Sequence, residues 1–463
     1  MSALPSRITI VGLGPGHPEL RTVGAQRALD AAERIILRTR IHPGLSDLAT
    51  DPRVTDCDDL YERAGDFDEL YLAIAERVLR AARSGQNIVF AVPGHPRIGE
   101  KSVPLVEAGA RDLGIAVEVL DAVSFLDAAV GAVQADPLAQ GLQLVDAEHL
   151  AATLNADPFA SGQLGIDPTR PLLVGQLYNR DLASAAKIAL SRLYPDEYPV
   201  ILLNAAGVLS DQSTEEVCLH TLDRRDVDHL TSLWVPPMGT LDAVRSPELL
   251  TRIVAHLRAP GGCPWDREQT PRTLRNQVLE EAYEVVDAID AGDQSGLVEE
   301  LGDVLLLIIM QAQIAEENGA FLIEDVFEGV NRKLIRRHPH VFGSVSATTP
   351  EAVIATWEGV KEIERAEKGE PPAKLNPLDR LPRAMPITRK IAEILVPRHT
   401  LASPEDPAAG NELLDAVRVL IERGIDPDIA LEASLRKFIE EGVGVSGSSA
   451  VAGIEGVQGR ESA

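Results

Sequence analysis

Aromatic residues, cysteines and basic residues are all scarce in this sequence. Aromatics make up 4% of its 463 positions, so its cores must be built mainly from aliphatic side chains. The three cysteines, Cys57, Cys218 and Cys263, form no CxxC or zinc-finger spacing, which indicates a reduced compartment. The formal net charge of -27 argues against a nucleic acid as the main partner, because a polyanion requires a basic surface.

Long apolar runs and a secretory signal are also missing. No run approaches the ~18 residues of a membrane helix, and the first residues, MSALPSRITIVGLGPG, lack the basic and apolar regions of a signal peptide. We therefore expect a cytoplasmic protein with no membrane partner. Its length predicts two or three domains, each large enough to bury a core.

The first half of the chain has the alternating pattern of an α/β domain, which we place at residues 6–235. The predicted strands are RITIVGL, RIIL, NIVFAV, AVEVL, PLLVGQL and PVILLNAAG, and the predicted helices are TVGAQRALDAA, ELYLAIAERVLRAARSG and LASAAKIALSRLY. Gly85 is the expected C-terminal stop of the second helix. Two adjacent prolines and a glycine then indicate a linker at residues 236–245.

The second half of the chain is helical in pattern. An all-α domain is predicted at residues 246–368, with Ser246 as the N-cap of its first helix and Pro247 at the first helical position. A further helical segment is predicted at 369–441, and the small, polar residues 442–463 are expected to be disordered. The predicted fold class is therefore multidomain, an α/β domain followed by a helical bundle and a helical C-terminal segment.

The stretch LEEAYEVVDAIDAGDQSGLVEELGDVLLL, residues 279–307, reads as two amphipathic helices joined by a polar turn, yet carboxylates lie on their apolar faces. Glu281 and Glu284 lie on the apolar face of the first helix, and Glu300 and Asp303 on that of the second. The other members of the second face are Leu297, Leu301, Val304, Leu307 and Ile308. Each desolvated carboxylate costs several kcal/mol unless protonation, basic partners or divalent metal ions compensate its charge.

Divalent metal ions are the compensation that the residue types favour. Neither acidic cluster contains a lysine or arginine, and several carboxylates at one site supply the oxygen ligands that Mg²⁺ and Mn²⁺ prefer. Bundle di-iron sites need Glu-x-x-His on two helices, and no such histidine occurs here. A solvated acidic surface is the alternative interpretation.

Basic and aromatic residues follow the acidic helices. Lys333, Arg336 and Arg337 lie at helical spacings, where they can hold a polyphosphate or form a solvated basic face. Trp265 and Trp357 can each stack on a nucleobase or fill a core. A phosphorylated ligand is thus one of two interpretations of this region.

Five motifs within residues 246–368 closely resemble those of MazG-type nucleoside triphosphate pyrophosphohydrolases, in that family's order: GCPWDREQT, LEEAYEVVDAI, EELGDVLL, RRHPHVFG and WEGVK. The resemblance implies an all-α, dimeric fold that cleaves nucleoside triphosphates to a monophosphate and pyrophosphate with Mg²⁺, or with Mn²⁺. By that resemblance, the metal ligands are Glu281, Glu284, Glu300 and Asp303.

The charges of the site residues predict further roles in this hydrolysis. Glu280 or Glu281 accepts the proton of the attacking water. The candidates for binding the substrate and its leaving pyrophosphate are Lys333, Arg336, Arg337, Trp357 and Lys361. One departure from the family is Pro271, on the substrate-entry side, where a histidine is frequent.

Residues 369–441 contain a weak echo of the MazG motifs. The segment NELLDAVRVLIERGIDPDIALEASLRKF keeps the ExxD spacing in Glu412 and Asp415, but no EExxE helix precedes it. The resemblance implies a degenerate second copy that helps packing or dimerisation. An independent helical tail is the alternative.

The glycine-rich turn in RITIVGLGPGHPEL fails the dinucleotide-binding fingerprint, because His17 stands where the third glycine is required. Instead, VGLGPGHPEL, VFAVPGHPRIGEKSV, LDAVSFLDA and QLYNRDLASAAKIALSRLYPDEYPVILLNAAG resemble tetrapyrrole methylase-type methyltransferases, most closely the YabN-like branch that is fused to MazG. This resemblance covers about residues 6–225 and implies that S-adenosylmethionine binds between two subdomains. By it, the candidate cofactor contacts are Gly94, His95, Pro96, Ser124, Gln176 and Ala205.

The sequence therefore leaves three functions to compare. The leading one is Mg²⁺-dependent hydrolysis of nucleoside triphosphates by a homodimer, fused to a methyltransferase-like domain. The second is methylation as the main activity, and the third is a binding protein that senses nucleotides. Two departures from the methylase family, His95 for a frequent aspartate and Ala122 for a usual glycine, leave three roles open for the first domain: methyl transfer, ligand sensing and an inactive scaffold.

Overall fold

The computed structural model describes residues 7–83, 86–154, 164–208 and 210–369, together with 419, 420, 422–425, 430, 434 and 437. The chain divides into two compact units, Met1–His256 and Leu257–Ala463. Gly85, Glu412, Asp415 and the tail at 442–463 lie outside the described residues, so the expectations attached to them stay predictions. None of the helices in the described part of the chain combines the length and hydropathy that crossing a membrane requires.

The strands of the described residues belong to the first unit. They are β1 (Arg7–Gly12), β2 (Arg34–Leu37), β3 (Val54–Asp56), β4 (Ile88–Val92), β5 (Ala116–Val119), β6 (Gln143–Asp146), β7 (Leu172–Gly175), β8 (Pro199–Asn204), β9 (Ser213–Cys218) and β10 (Thr231–Val235).

Helices lie in both units. They are α1 (Val23–Ala31), α2 (Asp58–Tyr61), α3 (Phe67–Ala82), α4 (Ser102–Asp112), α5 (Phe125–Val133), α6 (Pro137–Gln140), α7 (Ala147–Ala152), α8 (Arg180–Leu190), α9 (Pro247–Arg258), α10 (Pro264–Glu268), α11 (Arg275–Ala291), α12 (Gln294–Glu317), α13 (Ile323–Arg337), α14 (Pro339–Phe342) and α15 (Pro350–Glu367). Short 3-10 helices are Pro18–Leu20, Pro43–Leu45 and Leu219–Arg224.

The first sheet is parallel throughout, with the strand order β3-β2-β4-β1-β5. Strand β1 pairs with β4 from Ile8↔Ile88 to Gly12↔Val92. One face of these strands is buried against α3 and α4, and the other face against α1. Burial on both faces explains why the strands read as continuous apolar runs.

The second sheet is mixed, with the order β6-β7-β10-β8-β9. Strands β6 and β7 are parallel, and the other neighbours are antiparallel. One face of this sheet packs on α7 and α8, and the other on α5. Met238 and Ala243, within the segment predicted as a linker, are buried in the same core as α8. This segment is therefore packed against the second sheet.

Each of the six predicted strands occurs, but the sequence patterns miss β3, β6, β9 and β10. Strands β3, β6 and β9 are sheet edges with one neighbour each, and β9 exposes four of its six residues. These three strands bury at most one residue each, so few of their positions require an apolar side chain. Strand β10 is buried throughout, but it runs directly into the two prolines that mark the end of the strand pattern.

The second unit is helical, as predicted. Helix α11 ends at Ala291 and is capped by Gly292, whose φ of +68° suits glycine. Helix α12 begins after Asp293, whose side chain accepts hydrogen bonds from the backbone N–H groups of Ser295 and Gly296. This short turn packs α11 against α12, while α12 contacts α13 and α13 contacts α14 and α15. The predicted pair of amphipathic helices joined by a polar turn is confirmed.

Candidate functional site

Three carboxylates of α11 and α12 converge in the helical unit. Glu281 and Glu284 lie one turn apart on α11, Glu300 lies on α12, and one carboxylate oxygen of each lies within 4.8 Å of the others. Glu281 and Glu300 are half-buried, whereas Glu284 is exposed. The tight turn at Gly292 brings the two helices together at this level. Glu280 is exposed on α11 and does not belong to the converging group.

Desolvation by burial and mutual repulsion both raise pKa values in this acidic cluster. Partial burial and the charges of Glu284 and Asp303 raise the pKa of Glu281 above its usual value. Partial burial and Glu284 likewise raise the pKa of Glu300. Asp303 is half-buried one turn after Glu300, and its charge contributes to both shifts, although its oxygens lie outside the three-residue group. Bringing these carboxylates together costs free energy that a positive charge can offset.

No basic residue supplies that positive charge in the described residues. The ion pairs of the helical unit there use other carboxylates, namely Glu317, Glu328, Glu358, Glu364 and Glu367. A donor set made only of carboxylate oxygens fits a hard divalent cation such as Mg²⁺ or Mn²⁺. The side chains present therefore suit the metal that the sequence predicts.

The five predicted substrate-binding residues lie on α13 and α15, and four of them come together. The guanidinium carbon of Arg337 lies 5.9 Å from the ring centroid of Trp357, and Nζ of Lys361 lies 4.2 Å from it. Arg336 joins the group because it pairs with Glu364, as Arg337 does. Lys333 is exposed one turn earlier on α13 and makes no ion pair within the described residues.

The partner of the two arginines is Glu364 of α15, which sequence reasoning missed. Its buried carboxylate accepts a hydrogen bond of 2.6 Å from Nη2 of Arg337 and lies 2.7 Å from Nη2 of Arg336. These contacts, the Arg337 hydrogen bond first, lower the pKa of Glu364 to about 2. The available signal was the spacing of Trp357, Lys361 and Glu364, which puts all three on one face of α15.

The predicted cofactor contacts of the α/β unit lie beyond the C-terminal ends of its strands, where open α/β sheets bind ligands. Gly94, His95 and Pro96 follow β4, Ser124 precedes α5, and Gln176 and Ala205 follow β7 and β8. Gly94 and Gly14 exchange backbone hydrogen bonds of 2.9 and 3.3 Å, which join the turns after β4 and β1. A Cβ atom at Gly12 would overlap the carbonyl oxygen of Gly94.

Backbone strain marks two of these positions. Gln176 has φ +61° and Ala205 has φ +49°, both in the left-handed region that favours glycine. Such strain persists only where the surroundings impose it, and it concentrates at ligand sites. Nε2 of Gln176 also donates a hydrogen bond of 3.1 Å to the carbonyl of Gly99, which ties the loop after β7 to the loop after β4.

The side chains of Ser124 and His95 are engaged within the protein. The Ser124 hydroxyl donates to Asp127 at 2.8 Å and accepts from the backbone N–H groups at the start of α5, so a cofactor contact is left to its backbone carbonyl. Nδ1 of His95 accepts from the backbone N–H of Arg97 at 3.0 Å, and its Nε2 lies 3.9 Å from Oδ1 of Asp121.

Sequence reasoning missed two polar contacts near the same strand ends. Nε of Arg38, which follows β2, lies 3.1 Å from Oε2 of Glu100, and Nη1 of Arg38 donates to the hydroxyl of Tyr61 at 2.7 Å. Nε2 of His42 donates to the carbonyl of Gly14 at 3.0 Å, and burial lowers the pKa of His42 to about 4. The signal for Arg38 was its place directly after a predicted parallel strand.

Two family models match the chain. Tetrapyrrole (corrin/porphyrin) methylases match residues 7–223, and the MazG nucleotide pyrophosphohydrolase domain matches residues 269–342. The second match contains the acidic cluster and α13. Trp357 and Lys361 lie beyond it.

Relatives of known name match over one or both units. The chain is 37% identical to YabN of Bacillus subtilis over 395 residues, which cover 84% of this chain and 77% of that protein. It is 37% identical over 216 residues to the nucleoside triphosphate pyrophosphohydrolase/pyrophosphatase MazG of Thermotoga maritima, covering 42% of this chain and 82% of that protein. A nucleoside triphosphate pyrophosphohydrolase of Escherichia coli is 44% identical over 146 residues, covering 31% and 54%. The chain therefore belongs to the YabN family and carries a tetrapyrrole methylase domain followed by a MazG nucleotide pyrophosphohydrolase domain.

Proposed function

We propose that the protein hydrolyses nucleoside triphosphates to a nucleoside monophosphate and pyrophosphate, with Mg²⁺ or Mn²⁺ as the metal. The observation that carries this proposal is the convergence of Glu281, Glu284 and Glu300 within 4.8 Å of one another. They lie within the residues that match the MazG domain, and the matching proteins of T. maritima and E. coli bear the name of this activity.

The chain's own residues have distinct roles in this proposal. Glu281, Glu284 and Glu300, together with Asp303, would hold the cation, which neutralises phosphate charge and activates the α-phosphate towards attack. Glu281 or the adjacent Glu280 would accept the proton of the attacking water.

The basic residues of α13 and α15 are proposed to bind the triphosphate. Lys333 has no acidic partner in the described residues, so its charge is available to the leaving pyrophosphate. Arg336 and Lys361 already pair with Glu364 and Glu358, so a phosphate contact would have to compete with these carboxylates. Trp357 presents a ring on which a base can stack.

The proposed hydrolysis is tested by separating its products. The full chain is incubated with each nucleoside triphosphate and Mg²⁺ or Mn²⁺, and we expect equal amounts of monophosphate and pyrophosphate. Chelation of the metal should abolish turnover. Diphosphate and phosphate as products would contradict the proposal, and binding without any turnover would favour the nucleotide sensor.

We further propose that the helical unit forms a homodimer. Val298, Leu301, Leu305 and Ile308 recur at spacings of three, four and three along α12, and they are between 44% and 74% exposed. Soluble monomers rarely expose a continuous apolar stripe, and this spacing is that of a seam between two packed helices. A second copy of the chain, with the same stripe, is a self-complementary partner.

A charge placed in the apolar stripe should separate the dimer. We expect Leu301→Glu to halve the mass measured by light scattering, because the new carboxylate would be desolvated at the interface. Val23→Glu is the matched control, since Val23 is 67% exposed on α1 of the other unit. A wild-type chain that is monomeric at micromolar concentration would refute the dimer.

We also propose that the α/β unit binds S-adenosylmethionine at the ends of β1, β4, β7 and β8. The strain at Gln176 and Ala205 and the close approach of Gly12 to Gly94 support a built ligand site there. The bound cofactor would serve methyl transfer if a methyl acceptor also binds, and sensing if none does. Methylation is the second candidate function.

Calorimetry on a pair of glycine variants tests this cofactor site. Gly12→Ala should weaken S-adenosylmethionine binding by about tenfold or more. The added Cβ would overlap the Gly94 carbonyl and displace the turn after β4, which carries three of the proposed cofactor contacts. Gly131→Ala, on α5, is the matched control, since its Cβ meets nothing within 4 Å. The absence of any binding heat with the wild-type chain would contradict the proposal.

A further inference from the structure

A second group of metal-ligating side chains lies in the α/β unit. Glu197 precedes β8, Cys218 ends β9, and His220 follows in the 3-10 helix Leu219–Arg224. A carboxylate oxygen, the sulfur and an imidazole nitrogen of these residues lie within 4.8 Å of one another. They sit at the N-terminal end of β8, whereas the proposed cofactor contact Ala205 follows its C-terminal end. The group is thus distinct from both sites described above.

Backbone contacts hold the three residues in register. The N–H of Leu219 donates to the carbonyl of Tyr198 at 2.9 Å, and the N–H of His220 donates to the carbonyl of Asp196 at 3.0 Å. These bonds continue the antiparallel pairing of β8 with β9 past Cys218. Leu219, between the two potential ligands, is fully buried. The positions of the three side chains are therefore set by the sheet.

Tyr198, the residue after Glu197, holds this segment in place through its side chain. The hydroxyl of Tyr198 donates to the carbonyl of Pro236 at 3.0 Å, and the Tyr198 ring lies 5.1 Å from that of the fully buried Tyr194. Support of this kind is what a preorganised metal site requires, because ligands that must first be ordered bind weakly.

The thiol and the imidazole share the same acidic neighbour. The thiol of Cys218 donates to the Glu197 carboxylate, which raises the pKa of the thiol. Nδ1 of His220 lies 3.5 Å from Oε1 of Glu197 and 3.1 Å from the carbonyl oxygen of Asp196. Arg225 does not compete for Glu197, because it pairs with Glu215 at 3.1 Å.

We propose that Glu197, Cys218 and His220 bind Zn²⁺ or a chemically similar divalent transition metal. Carboxylate, thiolate and imidazole are the ligands that Zn²⁺ uses, and the sulfur disfavours Mg²⁺. On binding, the sulfur–hydrogen bond of Cys218 is replaced by a sulfur–metal bond and the proton passes to solvent. Three protein ligands leave one tetrahedral position for water or an external ligand. The metal joins the end of β9 to the loop before β8, independently of the proposed hydrolysis.

Cobalt supplies a spectroscopic test on the full chain. Titration of the reduced protein with Co²⁺ should produce a thiolate-to-cobalt charge-transfer band that saturates at one ion per chain and is displaced by Zn²⁺. The acidic cluster of α11 and α12 contains no sulfur, so Co²⁺ bound there cannot give this band. The band should vanish in Cys218→Ser and persist in Cys263→Ser. A wild-type chain without the band, or a band that survives in Cys218→Ser, would overturn the proposal.

A pair of glutamate variants distinguishes direct metal ligation from a general effect of negative surface charge. Glu197→Gln should weaken Zn²⁺ binding by about tenfold or more, measured by competition with a chromogenic chelator. Glu216→Gln is the matched control, because the exposed Glu216 also acts on Cys218 through its charge but supplies no oxygen to the group. Equal weakening in both variants would mean that only the acidic surface attracts the ion. Circular dichroism verifies that each variant is folded.

Discussion

Replacing Glu300 by glutamine should lower kcat/KM for nucleoside triphosphate hydrolysis by about 100- to 1,000-fold. The reason is that the amide removes one of three converging carboxylates, and metal-assisted charge stabilisation contributes several kcal/mol, with each 1.36 kcal/mol worth about tenfold in rate. Glu281→Gln should have an effect of the same order, since its oxygen belongs to the same group. Steady-state kinetics at saturating Mg²⁺ measure the change.

The control for this loss is the neighbouring Glu299→Gln. Glu299 is exposed on α12 and its charge also acts on Glu300, but it supplies no oxygen to the converging group. We expect this variant to keep nearly full activity. Equal losses in Glu299→Gln and Glu300→Gln would mean that the overall negative charge, and not ligation, drives hydrolysis.

Stability measurements distinguish a lost ligand from a damaged fold. Glu300 sits in a cluster whose charges repel one another, so Glu300→Gln should unfold at the same or a higher temperature than the wild type when no divalent metal is present. Mg²⁺ should then raise the melting temperature of the wild type and have a smaller effect on the variant, because a ligand stabilises only the state that binds it. A large loss of stability without metal would assign Glu300 a structural role.

The acidic cluster was predictable because it depends on local structure. Val278, Glu281, Val285 and Ala288 recur at helical spacing, and all four are half-buried in the structure. A short turn then brings α12 back along α11, so only two helices have to be placed. Periodicity alone could not show which part of the apolar face of α12 is buried and which is exposed. Leu307 is 8% exposed, whereas Leu301 is 52% exposed.

The contacts that were missed depend on tertiary pairing between distant segments. Arg336 and Arg337 read as phosphate ligands in the sequence because nothing in α13 reveals that α15 brings Glu364 against them. Glu197 likewise reaches Cys218 only through the pairing of β8 with β9, and the edge strand β9 is too exposed to produce a strand pattern. The sequence contains no zinc spacing, because these ligands come from two segments.

Replacing Glu364 by glutamine should destabilise the helical unit by about 3 kcal/mol. The carboxylate is buried between two guanidinium groups, and removing the charge leaves the largely buried Arg337 without its partner. Since the pKa of Glu364 is about 2 in the folded chain and 4.5 ordinarily, its stabilisation is fully present above pH 4.5 and is lost as the pH falls towards 2. Urea unfolding followed at pH 7 and at pH 3 measures both effects.

The matched control is Glu367→Gln, three residues further along α15. Glu367 pairs with Arg336 at 3.2 Å, but its side chain is 61% exposed, so its loss should cost less than about 1 kcal/mol. The difference in unfolding free energy between Glu364→Gln and the wild type should shrink from pH 7 to pH 3, because acid removes in the wild type the charge that the substitution has already removed. A difference that stays constant with pH would mean that packing of the Glu364 side chain, and not its charge, joins α13 to α15.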